Sequence, residues 1–295
     1  MKILSWNIGK YDGKLGTILK EESITKKFKV LEDIIKSEVP EIFCVVEGTI
    51  SKEDTRLKEL FETYNYVVYF EPEFVNKDLY KNLFEFKTYD SYGLKIFIKK
   101  DFKQNILPFD PSRAIHKGRL VNIELVNQQG VIIFLHRNMS RPSKEQHEFI
   151  SAIYDWCFKG NLGFVANNIF ILGDFNLTPW SSDYFSEESG YLLSEFVENI
   201  YNVKKRNNPC FYNPVINYLS TIKKKNMGGT FYSNNHGWGI FDFALIRDYD
   251  KNKQTFELIT SSNEYEILNT SDESLNKDFI NHDFDHLPIK LKIEL

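Results

Sequence analysis

Short apolar runs that end in, or enclose, a polar side chain recur along the whole of this 295-residue chain and limit its possible folds. The runs are rich in β-branched and aromatic residues and are too short for typical helices, so they indicate buried strands. They predict strands at residues 2–8, 42–46, 66–70, 94–99, 120–126, 131–135, 169–172, 241–246, 256–259 and 289–293.

Helical spacing of apolar residues is rarer. It predicts a helix over residues 21–38, which Pro40 separates from the next strand, so the chain opens with a strand, a helix and a strand. Further helices are expected near residues 143–158 and 190–201. Many strands, few helices and short connections predict an α/β fold of two packed sheets with helices outside them. No repeat or Pro/Gly-rich linker divides the sequence, so we expect a single domain over residues 1–295.

Composition narrows the possible partners. Hydrophobic residues make up 42% of the chain, enough for a sizeable core, and the net charge is −4. Extended nucleic-acid binders usually carry a basic surplus, so contact with nucleic acid would need a local basic patch, and a small phosphoester is also compatible. The three cysteines lack metal-ligand spacing and are expected to be buried thiols. No signal peptide or membrane-spanning run is recognisable, so we expect a cytoplasmic protein.

Two polar, irregular segments, residues 72–91 and 202–228, are long enough to be functional loops. The second contains lysine clusters at 204–205 and 223–225. These lysines form either a solvated surface or a rim that grips phosphate beside an active site. Aromatic residues in and after the second segment could stack on bases, although such residues more often belong to a core.

The strongest local signal is Gly173-Asp174-Phe175-Asn176, which follows an apolar strand. A spacing of two places the Asp174 and Asn176 side chains on the same side of an extended backbone. The acid can bind a hard cation or orient water, and the amide can donate to a phosphoryl oxygen. In isolation the same sequence could be a turn.

A second signal is the pair Asp285-His286, just before the last predicted strand. An imidazole beside a carboxylate suits general acid/base chemistry, because the acid fixes the tautomer and raises the basicity of the ring. Alone, such a pair could equally be a loop with no chemical role.

Four more polar residues lie at or within apolar strands: Asn7, Glu47, His136 and Asp242. Glu47 ends a strongly apolar strand, and a buried carboxylate needs a partner, for which a divalent cation is well suited. Each of the others would, by itself, more often be a structural residue. Because the strand ends of packed sheets can converge on one cleft, the set as a whole predicts a shared site.

The ordered set of motifs resembles the endonuclease/exonuclease/phosphatase superfamily, which includes type I deoxyribonuclease, exonuclease III-like repair enzymes, neutral sphingomyelinases and inositol polyphosphate 5-phosphatases. The resemblance runs from residue 2 to residue 293 and rests on Trp6-Asn7, Pro40 to Glu47, His136, Gly173 to Asn176, Asp242 and Asp285 to Pro288. It implies a DNase I-like, four-layered α/β sandwich of two mainly antiparallel sheets flanked by helices.

The sequence departs from the superfamily pattern at three places. Val46 stands where a glutamine usually precedes the glutamate, and Phe284 stands where a serine usually precedes Asp285. The usual Ile-Asp-Tyr segment is Phe241-Asp242-Phe243. None of these changes removes a presumed catalytic group, although Phe284 could alter hydrogen bonding around Asp285.

The resemblance also implies ligands for a metal and donors for a phosphate. Glu47 is expected to bind Mg²⁺, or Mn²⁺, with Asn7 and Asp285 close to the ion. Three arginines are expected either to grip the substrate phosphate or to be structural: Arg119, Arg137 and Arg141.

The remaining roles concern the reaction itself. Asp174 is expected to position or deprotonate the attacking water, and Asn176 to donate to a non-bridging oxygen. His286 donates to a phosphoryl oxygen or transfers a proton, and His136 contacts the phosphate from the opposite side. Asp285 or Asp242 orients a histidine or the metal shell.

These roles predict a Mg²⁺-dependent phosphodiesterase, and within that class a nuclease, either endonuclease or exonuclease, acting on DNA or RNA. The alternative is a phosphatase or phosphodiesterase for a small or lipid phosphoester, such as a nucleotide, an inositol phosphate or sphingomyelin. A third interpretation is a catalytically silent binding module on the same scaffold, which the intact set of acids, amides and histidines disfavours.

Overall fold

The computed structural model describes the parts of the chain that form two β-sheets and the helices packed on one of them. The described residues are 1–9, 21–47, 55–71, 93–110, 114–115, 119–126, 130–137, 153, 168–178, 211, 213, 231–233, 237–248, 265–267, 286 and 288–293.

Thirteen strands are found among the described residues. In chain order they are β1 (Lys2–Asn7), β2 (Ile42–Val46), β3 (Tyr66–Phe70), β4 (Leu94–Lys99), β5 (Ala114–Ile115), β6 (Leu120–Glu124), β7 (Val131–His136), β8 (Asn168–Asp174), β9 (Phe231–Ser233), β10 (Gly237–Gly239), β11 (Asp242–Asp248), β12 (Tyr265–Ile267) and β13 (Ile289–Lys292). The described residues also include the helices α1 (Glu21–Glu38) and α2 (Arg56–Thr63) and a 3₁₀ turn at Lys103–Asn105.

The strands form two large sheets, each with one parallel pair at its centre. The first has six strands in the order β12-β13-β1-β2-β4-β3, and β1 and β2 are its parallel neighbours. The second has five strands in the order β11-β8-β7-β6-β5, and β7 and β8 are its parallel neighbours. The other neighbours in both sheets are antiparallel, while β9 and β10 form a separate hairpin pair. The expected pair of mainly antiparallel sheets is therefore present.

The central strands are apolar because both of their faces are covered. Every residue of β2 and β7 is buried, which is typical of strands that pack on two sides. On the first sheet the cover includes α2, whose Phe61 stacks on Phe97 with ring centroids 3.8 Å apart and meets Phe43 edge-on at 5.3 Å. The core therefore fixes the strands whose ends carry the polar residues of interest.

Most of the predicted elements agree with the structure, with small corrections at strand ends. The strand expected at 120–126 ends at Glu124, and the strand expected at 241–246 instead runs from Asp242 to Asp248. The sequence interpretation did not include α2, β5, β9, β10 and β12. These are short elements, and their formation depends on packing more than on local pattern.

Several predictions concern residues outside the described ranges. They are the strand at 256–259, the helices at 143–158 and 190–201 apart from buried Ile153, and the segments 72–91 and 202–228 apart from buried Phe211 and Asn213. Cys44 is a buried free cysteine, while Cys157 and Cys210 lie outside these ranges. Within the described part of the chain, no helix combines the length and apolar character that crossing a membrane requires.

Candidate active site

Six of the predicted site residues meet where the ends of both large sheets come together. Two belong to the first sheet, since Asn7 ends β1 and Glu47 follows β2. In the second sheet, His136 ends β7, Asp174 ends β8 and Asp242 begins β11. The strand register pairs Asp174 with both His136 and Asp242, which brings three side chains into one row. His286, just before β13, completes the group.

Asp174 is the centre of this group and is only 1% exposed. Its Oδ2 accepts a hydrogen bond from Asn7 Nδ2 at 3.0 Å, which joins the two sheets. Its Oδ1 accepts from the backbone N–H of Asn176 at 2.8 Å. The carboxylate is therefore held in one orientation by donors on both of its oxygens.

The pKa of the Asp174 carboxyl is raised from 3.8 to about 7. Burial is the larger cause, and the negative charge of Asp242 is the second. The charge of His286 and the hydrogen bonds from Asn7 and Asn176 oppose this rise. Near neutral pH the carboxyl can therefore both accept and release a proton, which is the property a general base needs.

His286 and Asp242 form a close pair beside Asp174. His286 Nδ1 lies 2.7 Å from Asp242 Oδ2, and its Nε2 lies 3.9 Å from Asp174 Oδ2. Since a carboxylate can only accept, Asp242 fixes the proton on Nδ1 and leaves Nε2 facing Asp174. The indole Nε1 of Trp6 donates to the backbone carbonyl of His286 at 3.1 Å, so the residue is held at its backbone as well.

His136 and Glu47 form a second pair on the other side of Asp174. His136 Nε2 lies 3.3 Å from Glu47 Oε1 and 3.8 Å from Asp174 Oδ2. The Glu47 side chain is the more accessible of the two, with 14% exposure against 3% for His136. Imidazoles therefore flank the central carboxylate on both sides.

Backbone geometry sets the directions of these side chains. Gly173 has φ +144°, and a Cβ at this position would lie 2.0 Å from the Leu135 carbonyl oxygen. Only glycine therefore lets β7 and β8 approach closely enough to pair His136 with Asp174. Glu47 and Asn176 have positive φ values of 57° and 48°, which non-glycine residues seldom adopt and which often mark functional sites.

The donor atoms of the site suit a divalent cation. Ligand atoms of Asp174, Asp242 and His286 all lie within 4.8 Å of one another, so these three residues could hold a metal ion. Burying two carboxylates side by side is unfavourable unless positive charge compensates them, and a cation supplies that charge. Glu47, the predicted metal ligand, contacts His136, which in turn lies beside Asp174. The other predicted ligand, Asn7, accepts a hydrogen bond from the Gly9 N–H through Oδ1 and donates to Asp174 through Nδ2.

The arginines predicted to contact substrate have different environments. Arg137 is 2% exposed, its Nη1 donates to the Phe175 carbonyl at 3.4 Å, and its own carbonyl accepts from the Asn176 side-chain amide. Arg119 is partly buried, and its carbonyl accepts from the His136 N–H at 2.8 Å. Arg141 and Asp285 lie outside the described residues.

Some residues that shape the site had no role assigned from the sequence. Phe175 and Phe243 stack at 3.9 Å beside Asp174 and Asp242. Lys27 is buried and its Nζ donates to the Ile8 carbonyl at 2.9 Å. The signal for Lys27 is present in the sequence, because it has helical spacing with Leu31 and so lies on the apolar face of α1.

Comparisons with known proteins agree with the fold. The model of the Endonuclease/Exonuclease/phosphatase family matches residues 4–272. A search of curated proteins finds no match. Among solved structures, D. rerio TDP2 complexed with a single-strand DNA product is 11% identical, with a TM-score of 0.59, and the match covers 100% of this chain and 99% of that one.

Two other solved structures are similar over the full length of both chains. An AP endonuclease from Archaeoglobus fulgidus is 12% identical with a TM-score of 0.56. The 3′ phosphatase NExo from Neisseria, bound to a product DNA hairpin, is 10% identical with a TM-score of 0.53. Identities this low establish a common DNase I-like fold, and the family match covers most of the chain. The chain therefore belongs to the endonuclease/exonuclease/phosphatase family of phosphoric ester hydrolases.

Proposed function

We propose that the protein is a Mg²⁺-dependent phosphodiesterase that hydrolyses phosphodiester bonds in DNA. The observation that carries the proposal is the buried Asp174, which contacts Asn7 from the first sheet and lies beside Asp242 of its own sheet and the His286 imidazole that pairs with Asp242. An oriented carboxylate with a pKa near 7, flanked by imidazoles, is suited to activating water for attack on a phosphate.

Asp174 would accept the proton of the attacking water. Its hydrogen bonds from Asn7 and Asn176 keep the carboxylate oriented, while its raised pKa makes it more basic than an exposed aspartate. The water attacks phosphorus directly, the bond to the leaving oxygen breaks, and no covalent enzyme intermediate forms.

The histidines would bind the phosphoryl oxygens. Asp242 accepts from His286 Nδ1, so it favours the imidazolium form, whose Nε2–H can donate to a phosphoryl oxygen. His136 approaches from the side of Glu47 and can donate in the same way. Asn176 is held by its contact with the Arg137 carbonyl and lies next to this space.

Glu47 would hold the divalent cation, together with Asp285 and the nearby carboxylates. A metal bound there supplies positive charge that stabilises the phosphoryl group and its leaving oxygen. We propose Mg²⁺ because carboxylate oxygens are the ligands it prefers, and Mn²⁺ can occupy similar sites.

The proposal of DNA as the substrate comes from the similar solved structures. Two of the similar structures contain a DNA product, and a third is an AP endonuclease. One observation favours a second candidate, a small phosphoester, because the net charge of −4 gives no general basic surplus for a polymer.

A substrate panel with Mg²⁺ tests the proposal. It would contain single-stranded DNA, a DNA hairpin, duplex DNA with an abasic site, RNA, inositol phosphates, sphingomyelin and bis(p-nitrophenyl) phosphate. We expect cleavage of DNA that EDTA abolishes and that Mg²⁺ or Mn²⁺ restores. Hydrolysis of small esters alone would select the second candidate, and full turnover in EDTA would contradict the metal requirement.

Two variants connect the activity to the site. Asp174→Asn and His286→Ala are each expected to lower turnover by roughly 10²–10³-fold, as is typical when one strong electrostatic group is removed. Asp33→Asn, which changes an exposed carboxylate on α1, is the matched control and should retain full activity. Wild-type turnover in a folded Asp174→Asn protein would exclude Asp174 as the base.

A further inference from the structure

Lys27 is a lysine inside the protein. It lies on the core-facing side of α1, is 2% exposed, and its Nζ donates to the Ile8 carbonyl at 2.9 Å. Burying an ammonium group is unfavourable unless it makes strong polar contacts, and a lysine rarely occupies such a position without one. The contact joins the helix to the residue that directly follows Asn7.

The Ile8 carbonyl and the Gly9 N–H belong to one planar peptide unit, so they point in opposite directions and turn together. Lys27 binds the carbonyl end of this unit, and Asn7 Oδ1 accepts from its N–H end at 2.9 Å. The orientation of the peptide therefore determines where Asn7 Oδ1 must lie, and hence where Asn7 Nδ2 points.

Asn7 Nδ2 points at Asp174 Oδ2, 3.0 Å away. The same short segment also reaches the neighbouring strand, because the Ile8 N–H donates to the Val46 carbonyl at 3.1 Å, one residue before Glu47. A continuous series of contacts thus runs from Lys27 through one peptide unit to the Asn7 amide and the central carboxylate.

We propose that Lys27 is a positioning residue that aims the Asn7 amide at Asp174 by fixing the peptide between Ile8 and Gly9. The inference deepens the proposed hydrolytic function and rests on it. Without the ammonium donor, the peptide between Ile8 and Gly9 keeps the hydrogen bond from its N–H to Asn7 Oδ1, but its carbonyl loses the charged donor. Rotation of the peptide then releases Asn7 from Asp174.

The first test does not depend on activity. In protein labelled with ¹⁵N-asparagine, the side-chain amide signal of Asn7 is assigned by its loss in Asn7→Ala. We expect this signal to shift or broaden in Lys27→Met and to stay close to its wild-type position in Lys27→Arg, which keeps a long cationic donor. Lys29→Met is the matched control, because Lys29 is exposed on the same helix.

Lys27→Gln is a second variant in case Lys27→Met does not fold, because it keeps a polar group on a shorter side chain. An Asn7 signal that is unchanged in either folded variant would overturn the proposal. This result is distinguishable from failure of the proposed function, which would show as an inactive wild-type protein with the expected spectral changes.

The second test is a double-mutant cycle on kcat with Asn7→Ala, Lys27→Met and the double variant. Small displacements of catalytic groups can lower rates by up to about 10²-fold, so we expect Lys27→Met to reduce kcat by roughly 10-fold or more. If Lys27 acts through Asn7, the double variant should be no slower than Asn7→Ala alone. Multiplicative losses, or loss of thermal stability with kcat unchanged, would assign Lys27 a purely structural role.

Discussion

Asp174 is the residue at which burial and charge conflict most directly. Its carboxyl is almost fully enclosed and lies near a second buried carboxylate, yet it receives hydrogen bonds from Asn7 and from the Asn176 backbone. Burial and Asp242 favour the protonated form, whereas the donors and His286 favour the ionised form. The first two effects are larger, and the pKa is therefore raised to about 7.

This shift predicts how stability depends on pH in metal-free protein. Folding favours protonated Asp174, so its contribution is fully present below pH 3.8 and is lost as pH rises through about 7. The free energy of unfolding should fall over that window by at most about 1.4 kcal/mol per pH unit from this group. Urea unfolding in EDTA, compared between wild type and Asp174→Asn, measures the difference.

The difference between the two proteins isolates Asp174 from the other titrating groups. Asp174→Asn should flatten the curve between about pH 5 and pH 7, while the exposed-site control Asp33→Asn should reproduce the wild-type curve. Parallel curves for wild type and Asp174→Asn would show that folding leaves this carboxyl at its ordinary pKa.

Trp6 supports the site from outside it. Its indole donates to the backbone carbonyl of His286, a residue 280 positions away in sequence. Trp6→Phe removes the indole N–H, so the buried His286 carbonyl loses this hydrogen bond. The loss should lower the free energy of unfolding by about 1–3 kcal/mol. Because the carbonyl belongs to His286, we also expect kcat to fall.

Tyr66→Phe provides the comparison, since Tyr66 is also buried and donates to a backbone carbonyl, that of Pro40. Both variants should lose stability in thermal unfolding, but only Trp6→Phe should lose turnover per folded molecule. Equal turnover in the two variants would mean that the indole contact has no influence on the position of His286.

At the scale of secondary structure, the two parallel strand pairs explain why the site forms where it does. In each pair the carboxyl ends lie at the same edge, so β1 and β2 bring Asn7 beside Glu47, and β7 and β8 bring His136 beside Asp174. Antiparallel β11 contributes its first residue, Asp242, to the same edge. These strands therefore present their site residues where their apolar parts end.

Gly173 is the position where this arrangement is most sensitive to substitution. Gly173→Ala would place a methyl group against the Leu135 carbonyl at a backbone angle that alanine rarely adopts, so β7 and β8 must separate. We expect a loss of about 3 kcal/mol or more in unfolding free energy and a large loss of activity. Chemical denaturation with an activity assay would measure both.

Gly239→Ala is the matched control, because the nearest atom to a Cβ there is 3.6 Å away, an ordinary contact distance. Stability of Gly173→Ala close to that of the control would mean that the strands can part without cost.

The sequence was sufficient to predict the long apolar strands and the residues at their ends. The runs that became β1, β2, β7 and β8 are buried on both faces, so hydrophobicity alone marks them. Helix α2 was not predicted because its two buried residues, Leu57 and Phe61, form a single helical repeat that only packing on the first sheet stabilises.

The pairing of the site residues could not be predicted in the same way. The sequence left open whether Asp242 or Asp285 orients a histidine, and the structure places Asp242 against His286. The contact of His136 with Glu47 joins two sheets, and the positive φ of Glu47 occurs at a residue type that gives no local signal for it. Such features arise from tertiary contacts between distant segments.

At the scale of the whole molecule, the first and last strands of the fold are neighbours. β1 lies between β13 and β2, and the N-terminal amine of Met1 donates to the Ile293 carbonyl at 2.7 Å. This pairing brings the two ends of the described chain into one sheet. It also carries His286 to the site, because that residue lies just upstream of the start of β13 at Ile289.

A charge cluster away from the site links the end of α1 to the first and last strands. Glu38, the last residue of α1, has its Oε2 3.2 Å from Lys2 Nζ and 3.3 Å from Lys290 Nζ, which belong to β1 and β13. Burial raises the pKa of Glu38, but the hydrogen bond from Lys2 and the charges of both lysines outweigh it and lower the pKa below 4.5. The cluster therefore stabilises the fold above that pH and loses this effect as the solution becomes more acidic.

Glu38→Gln should separate stability from catalysis. The two lysines lose their shared carboxylate, and Lys290 is only 8% exposed, so we expect a loss of roughly 1–3 kcal/mol at pH 7, between the values for exposed and buried pairs. The difference from wild type should shrink as the pH falls below 4.5 and Glu38 itself becomes protonated. Glu32→Gln, which breaks the more exposed pair with Lys36, should cost less stability than Glu38→Gln. Because the cluster and the candidate site occupy different ends of β1, kcat per folded molecule should be unchanged in Glu38→Gln. A fall in kcat at a temperature where the variant is fully folded would instead show that the pairing of β1 with β13 controls the geometry around His286.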